Sequence, residues 1–483
     1  MNTDRRQFLK TAGAAGAGLT ALGLTGKKNG HQSGEPERFA ETKKSTEETH
    51  QQIFNMCGYA APKLESVRIG LIGVGSRGLA AVGRLRLIEG VEIRVLCDKY
   101  QDRVDLGQKS LAAAGLPRAA EYAGSEEIWQ ELTQSSDLDL VYICTPRGMH
   151  ANMAISAMEA GKHAATEMPA LSTLEEGWKL VETSERTKKH CMMLENCCYD
   201  FFELLVLNMV RQGLFGDIIH VEGGYIHDQL EMNFNLPRST GMWRLRESQR
   251  RNANLYPTHG LGPLCQVLNI NRGDRMTFMT SMSSNDFMMG KKAAEMAKQD
   301  DFYKQFDTHS YRGNMNSSLI RTEKGKTILL QYDITSPRPY SRLQLVSGTK
   351  GMSQKYPEPP RIALGDRWVS EDKMKELWEK YTPEIVRRVG ELAKTIGGHG
   401  GMDFIMDWRL IDCLRNGLPL EQDVYDAAAW SAIVPLSEWS VANGSFPITV
   451  PDFTCGSYKT NAPLDLSLSS GGNTLVRPIP AAG

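Results

Sequence analysis

The stretch from Val67 to Asp98 constrains this chain most. An apolar run of strand length, rich in Val and Ile, ends in glycines at 73, 75 and 78. A helical pattern follows, and a second strand-like run from Val91 closes on Asp98. Gly73, Gly75 and Gly78 fit the G-x-G-x-x-G spacing. The first serves the tight turn, the second lets a pyrophosphate approach the backbone, and the third lets helix and strand pack closely. The pyrophosphate would rest on the N-terminus of the following helix, where free N–H groups and the dipole favour an anion. Asp98 lies twenty residues after Gly78. A carboxylate there accepts from the ribose 2′-OH of NAD and repels the extra phosphate of NADP. Strand, glycine turn, helix, strand and terminal acid in that order point to an NAD-binding Rossmann unit.

With 483 residues the chain has room for two or three domains and a large core. A formal net charge of −1 gives no sign of a nucleic-acid partner. The nine cysteines show no C-x-x-C and no zinc-type spacing, and the adjacent Cys197 and Cys198 are poorly placed to bridge each other. Neither a disulfide framework nor a metal site is read. His220 and His227 in particular are a poor metal pair, being seven residues apart on one strand and so on opposite faces.

Residues 1–26 read as a targeting segment. Arg5 and Arg6, followed by an Ala-, Gly- and Leu-rich run to Gly26, resemble a twin-arginine signal. That route carries folded proteins, so the expected partner is the twin-arginine export machinery and the expected destination is the periplasm or beyond. No cysteine stands at a lipobox position. Residues 27–65 turn polar and read as a linker with room for one short helix. Residues 66–196 alternate strand and helix patterns and form the expected NAD-binding domain. Buried strands are read at Leu138–Pro146, Gly161–Pro169 and His190–Asn196. Each ends in polar residues, where ligands of doubly wound sheets bind, which makes His150, Glu167 and Asn196 cofactor-site candidates.

Residues 197–450 form the expected substrate-binding α+β domain with an open, largely antiparallel sheet. A helix is read at Phe202–Gly213 and a strand at Ile218–His227. Alternating strands are read near 318–333 and 340–347, with a polar excursion between Ser281 and Asn316. Pro357 to Gly397 is helical in pattern throughout, Met402 to Asn416 is a helix stopped by Gly417, and Tyr425 to Ala442 reads as one further helix. Residues 451–483 look like a wrapping tail. No internal repeat is evident.

The dinucleotide unit followed by a sheet domain, with Thr145, Pro146 and the Glu167–Met168–Pro169 segment in place, resembles the glucose–fructose oxidoreductase and inositol dehydrogenase superfamily. Its members usually carry lysine where this chain has Met168, and an acid where it has Leu255. A denser set of segments is similar to glycoside hydrolase family 109. These are Gly223–Asp228, Trp243–Arg244, Leu255–Gly260, Asn271–Gly273, Arg338–Tyr340, Gly397–Asp403 and Pro451–Phe453. Members of that family are NAD-dependent α-N-acetylgalactosaminidases. The resemblance implies cofactor contacts at Ser76, Arg77, Asp98, Arg147, Gly148, Met149, His150, Glu167, Met168 and Asn196. Its implied sugar contacts are Tyr225, Arg244, Tyr256, Pro257, Thr258, His259 and Tyr340. One departure is the segment Arg147–Met149, which is less aromatic than the family pattern.

The implied reaction is the release of terminal α-linked N-acetylgalactosamine from a glycan or glycoconjugate. NAD-dependent glycosidases do not rely on the usual pair of carboxylates. Oxidation at C3 acidifies the C2 proton, elimination expels the aglycone, water adds, and reduction restores C3 with retention at C1. Such a route needs bases and an acid that titrate near the working pH. His227 is the first choice of base, since imidazole titrates near neutrality. Tyr199, just after Asn196, is placed as a relay for the O3 proton, and Glu167 as the group that orients its neighbours. A periplasmic sugar oxidoreductase with net hydride transfer is the competing reading, and a non-catalytic sugar binder a third. A homo-oligomer stays open.

Overall fold

Runs that are apolar on every position belong in a parallel sheet covered on both faces, since helical crossovers shield each side. Six short strands form the first sheet: β1 (Val67–Ile72), β2 (Val91–Asp98), β3 (Ala120–Ala123), β4 (Leu140–Ile143), β5 (His163–Thr166) and β6 (Cys191–Met193). Every residue of β4, β5 and β6 is buried. The strands pair in parallel in the order β3-β2-β1-β4-β5-β6. That is the doubly wound Rossmann order, with its switch point between β1 and β4. Helix α1 (Ser76–Leu85) leaves the glycine turn directly. The computed structural model describes residues 50–478, apart from 238–239, 308–309, 464 and 466. The twin-arginine segment and residues 27–49 lie outside the described residues.

A nine-stranded sheet follows, made of β7 (Ile218–Ile226), β8 (Met276–Ser283), β9 (Asn316–Thr322), β10 (Thr327–Asp333), β11 (Ser341–Gly348), β12 (Gly351–Gln354), β13 (Arg361–Leu364), β14 (Arg367–Trp368) and β15 (Ile448–Thr449). Their order is β14-β13-β12-β11-β7-β10-β9-β8-β15. Only β7 and β10 pair in parallel; the other neighbours are antiparallel. Burial alternates along β9, β10 and β11, so one face is packed and the other open. On the packed face, helix α2 (Thr258–Leu268) lies against β7.

The contact between α2 and β7 is backbone on backbone. A side-chain carbon at Gly260 would stand 2.2 Å from the Gly224 nitrogen, and one at Gly223 would stand 2.3 Å from the Gly260 oxygen. Only glycines permit that approach. Helix α3 (Met402–Asn416) then ties the two sheets together. Thirteen of its fifteen residues are buried, as befits a helix enclosed on all sides. Its Asp407 accepts from Arg84 of α1 at 2.7 Å and from Tyr142 of β4 at 2.8 Å.

Three expectations change. Pro357–Gly397 is not helical throughout: Arg361–Leu364 and Arg367–Trp368 form a hairpin around Gly365 and Asp366, with Gly365 at φ +64. Gly-Asp is a two-residue hairpin signal that the charge pattern obscures. Helices resume only after the Ser370 cap. Tyr425–Ala442 is two helices, Val424–Ser431 and Ile433–Ala442, which places Pro435 in a first turn, where its missing N–H costs nothing. Residues 50–65 are not a free linker but a docked, irregular strap. Met56 is buried, Gln52 donates to the Tyr425 hydroxyl at 2.7 Å, and the Ile53 N–H donates to Glu185 at 2.9 Å. The tail does wrap: Trp408 donates to the Thr474 carbonyl at 3.0 Å, and Val476 bridges to Ile88.

Candidate active site

The glycine turn has the form a dinucleotide needs. Gly73 sits at φ +89, and a side-chain carbon at Gly78 would fall 1.9 Å from the Gly73 carbonyl oxygen. At Gly75, the N-cap of α1, such a carbon would meet only Arg103, at 3.8 Å, which leaves room for a pyrophosphate against the helix end. The Asp98 carboxylate closes the turn by accepting from the Val74 N–H at 2.9 Å and the Tyr100 N–H at 3.0 Å. The Arg103 guanidinium stands 3.7 Å from it and stacks on Tyr100. These features fit NAD, and they set a cation beside the Asp98 carboxylate.

Farther along the crevice, Arg77 pairs with Glu167 at the end of β5 and reaches Asp403 at 2.7 Å. The Asn196 amide donates to the same Asp403 carboxylate. Asp403 is 1% exposed and is bonded by His399 at 2.9 Å. Burial works against its charge, but His399, Arg77 and Arg84 together hold it far below the ordinary carboxylate range. The cofactor candidates Arg77 and Asn196 therefore converge on one aspartate from the other half of the molecule, with Glu167 joined to it through Arg77.

The sugar candidates form an aromatic wall. Tyr225 lies within 5.0 to 6.2 Å, ring centre to ring centre, of Tyr256, His259, His227 and Tyr340. His227 and Tyr340 meet edge to face at 5.1 Å. Arg244 stacks on Trp243 and is an electrostatic neighbour of Tyr256 and Tyr225. Burial pushes the Tyr225 phenol up to about 12 and raises Tyr256 and Tyr340 as well, so all three remain hydrogen-bond donors at neutral pH.

The two wall histidines differ in what stands behind them. His259 Nδ1 lies 2.7 Å from Glu195, a residue with no exposed surface. A ring bonded to a carboxylate donates from Nδ1 and keeps Nε2 as its acceptor. Burial opposes the charge of Glu195, and His259 overcomes that to hold it below the ordinary range. His227 Nδ1 instead lies 3.0 Å from the Gln229 side-chain nitrogen, which can only donate, and 3.1 Å from the Tyr225 hydroxyl. With Gln229 donating, Nδ1 is the acceptor, and the neutral ring that fits this contact carries its proton on Nε2 as a donor. Burial, with His259 and His399 nearby, lowers its pKa against the pull of Asp228.

Several sequence-based assignments change place. Tyr199 is 2% exposed and does not reach the wall; burial raises its phenol, beside Glu421 and Cys413. Residues 196–199 form a 3₁₀ turn, which puts i and i+3 on one side. Asn196 and Tyr199 thus both face α3, Asn196 at its start and Tyr199 farther along. The His150 side chain is spent on the Pro169 and Thr145 carbonyls, at 2.9 and 2.8 Å, which leaves only its backbone for a cofactor. Arg147 donates to the Leu255 carbonyl, pairs with Glu247 at 3.2 Å and stacks on Trp243 and Tyr256. Gly148 is exposed, Met149 packs on the core and Met168 is buried. Pro257 and Thr258 lie buried under the turn that presents Tyr256 and His259. Ser76 begins α1 within the glycine turn.

Sequence reasoning missed Glu195, His399 and Asp403. Glu195 adjoins Asn196, and the other two lie in the quoted Gly397–Asp403 segment, but nothing local shows what they face. Glu195, Cys197 and His259 also bring one ligand-type atom each within 4.8 Å of one another. Burial holds the Cys197 thiol well above its ordinary range, and the His259–Glu195 bond occupies the other two.

Residues 67–195 match the model of the oxidoreductase family with NAD-binding Rossmann fold, and residues 199–460 match the C-terminal domain of glycosyl hydrolase 109. A glycosyl hydrolase family 109 protein of Porphyromonas gingivalis is 48% identical over 415 residues, covering 82% of this chain and 86% of the relative. This chain belongs to glycosyl hydrolase family 109. A family 109 protein of Shewanella sp. (strain MR-4) is 43% identical over 471 residues, covering 96% of this chain and 99% of its own. Residues 2–22 match the signal sequence of the twin-arginine translocation pathway, so this family 109 enzyme is exported by that route to the periplasm or beyond. Among solved structures, scyllo-inositol dehydrogenase from Lactobacillus casei aligns with a TM-score of 0.57 at 14% identity, over 80% of this chain and 99% of that one. Levoglucosan dehydrogenase in complex with NADH and L-sorbose aligns at 0.59 and 17%, over 80% and 100%. These two share the fold with the family 109 chain.

Proposed function

We propose that this enzyme releases terminal α-linked N-acetylgalactosamine by oxidation at C3, elimination, hydration and reduction, with retention. The observation that carries the reading is the His259–Glu195 pair in the aromatic wall, which leaves Nε2 of His259 as a base. The three site carboxylates are each engaged: Glu167 by Arg77, Asp403 by Arg77, Asn196 and His399, and Glu195 by His259. Direct displacement needs one carboxyl free as acid and another free as nucleophile or base. Engaged carboxylates suit a route in which histidine moves the protons.

Bound NAD would supply the hydride acceptor for C3 and, once reduced, the donor that restores it. Gly73, Gly75, Gly78 and Asp98 would hold its adenosine side, and Arg77, Glu167 and Asn196 the side toward the sugar. His259 Nε2 takes the C2 proton, with Glu195 stabilising the imidazolium that forms. Tyr225, Tyr256, Tyr340 and the Nε2–H of His227 donate to sugar oxygens and fix the ring. Met168, in place of the superfamily's lysine, favours this cycle over net dehydrogenation.

The test is turnover of an α-N-acetylgalactosaminide in heavy water without added cofactor. Deuterium at C2 of the released sugar, with no net NADH, is the expected outcome. Protium at C2, together with a normal rate for a C3-deuterated substrate, would sink the redox route. Stoichiometric NADH with intact glycoside would identify a sugar oxidoreductase instead.

A further inference from the structure

Tyr340 is the wall phenol whose hydroxyl is bonded by a cation. Arg342 Nη1 donates to it at 3.0 Å. A guanidinium can only donate, so the hydroxyl accepts in that bond. Among the described residues the hydroxyl donates to no protein group. Its proton is left for the side that Tyr340 shares with His227 and Tyr225. The cation is held from behind. Arg342 is 2% exposed, its Nη2 pairs with Glu203 and with Asp200 at 3.1 Å, and its Nε reaches Glu203 at 3.2 Å. Lys355 pairs with the same Asp200.

The backbone is bent to make this cluster. Leu343 and Gln344, the next two residues, sit at φ +59 and +52, a region that bulky side chains rarely take. The pairing of β11 with β7 slips on both sides of Leu343. The carbonyls of Leu343 and Gln344 accept from the N–H groups of Tyr356 and Lys355 at 3.3 and 3.1 Å, which brings Lys355 alongside Arg342. Bulges and strained residues of this kind gather at functional sites, where they re-aim a side chain.

We propose that Arg342 is a positioning residue that fixes the Tyr340 proton toward the sugar, a role that rests on the glycosidase reading above. With one side of the phenol oxygen occupied by Nη1–H, the O–H direction is set before substrate arrives, so less freedom is lost on binding. A charged donor on that oxygen also draws electron density from the O–H bond and strengthens it as a donor. Arg342 itself does not touch the sugar.

The test is a double-mutant cycle on KM for an α-N-acetylgalactosaminide. Arg342→Lys keeps a charge for Glu203 and Asp200 but lacks the fork that also reaches Tyr340. It should raise KM about tenfold with kcat changed less than about twofold, and in the Tyr340→Phe background it should change KM less than about twofold. An equal rise in both backgrounds would overturn the proposal, because an arginine that only holds the core acts without the phenol. Should Arg342→Lys fail to fold, Arg342→Met joined to Glu203→Gln removes the cation and one carboxylate together. Compared with Glu203→Gln alone in the same two backgrounds, it should show the same dependence on Tyr340, and equal losses would again overturn the proposal. In either case the glycosidase reading survives as long as wild-type protein releases the sugar. Wild-type protein that releases none would overturn both.

Discussion

The two halves of the site are built in opposite ways. The nucleotide half is local: Gly73, Gly75, Gly78 and Asp98 lie within twenty-six residues, on one turn and the strand beside it. The proposed sugar half is assembled from distant pieces. His259 comes from a helix, Glu195 from the strand end 64 residues earlier, Tyr225 from β7 and Tyr340 from just before β11. Both halves use the same device, glycines that let backbones touch. In the first the touching backbones are five residues apart, and in the second they belong to a helix and a strand of different sequence neighbourhoods. A local turn can form and bind on its own terms, whereas the wall exists only once the nine-stranded sheet is complete.

Two glycine substitutions should separate the halves most sharply. Gly78→Val should abolish NAD retention, because its side chain collides with the Gly73 carbonyl. Gly260→Ala should retain NAD yet lose nearly all glycosidase activity, because it drives α2 from β7 and His259 from Tyr225. Nucleotide content after purification, read beside activity, checks both. Equal NAD loss in the two variants would mean that the halves are not separable.

Within the sugar half, His259→Asn should lower kcat by about 10³-fold, whereas His227→Asn should cost about tenfold, the difference between a base and a donor. Steady-state rates measured at equal NAD occupancy decide it. The reverse order would restore His227 as the base.

The non-local half should also carry the larger pH dependence of stability. Glu203, buried beside Arg342, Asp200 and Lys355, is pushed up to about 7 by burial and by Asp200, against the pull of Arg342. A carboxyl with a raised folded pKa keeps its proton after the unfolded chain has lost its own. Stability therefore falls as pH rises from about 4.5 to about 7, by something on the order of 3 kcal/mol. Glu203→Gln should flatten that part of the profile in denaturant titrations. An unchanged slope would show that Glu203 is ionised in the folded protein.

The smallest effect belongs to Asp98→Ala. NAD should bind about tenfold more weakly, and NADP more strongly, since Arg103 is then free to meet the 2′-phosphate. Titration of stripped protein with both nucleotides measures this. Continued exclusion of NADP would remove Asp98 from cofactor selection.

The nucleotide sheet was legible because its signals are local. Apolar runs, glycine spacing and a terminal acid each have meaning at their own positions, and β1, β2 and the turn between them fall where those signals put them. The helix at Met402–Asn416 was legible for the same reason, with its stop at Gly417. The hairpin at 361–368 was hidden by the charge of its surroundings, and the 3₁₀ turn at 196–199 had no signal to distinguish it from an extended loop. Tyr199 was misplaced through that turn.

By itself the sequence determined the two sheets, the NAD turn, the export signal and the family, because each is written in contiguous spacing or dense motif. Only the tertiary structure decided which histidine has a carboxylate behind it. Glu195 and Asp403 are ordinary acids in the chain. They become the partners of His259 and His399 because helices α2 and α3 are clamped between the sheets, and burial there makes a paired charge far more consequential than it is in water.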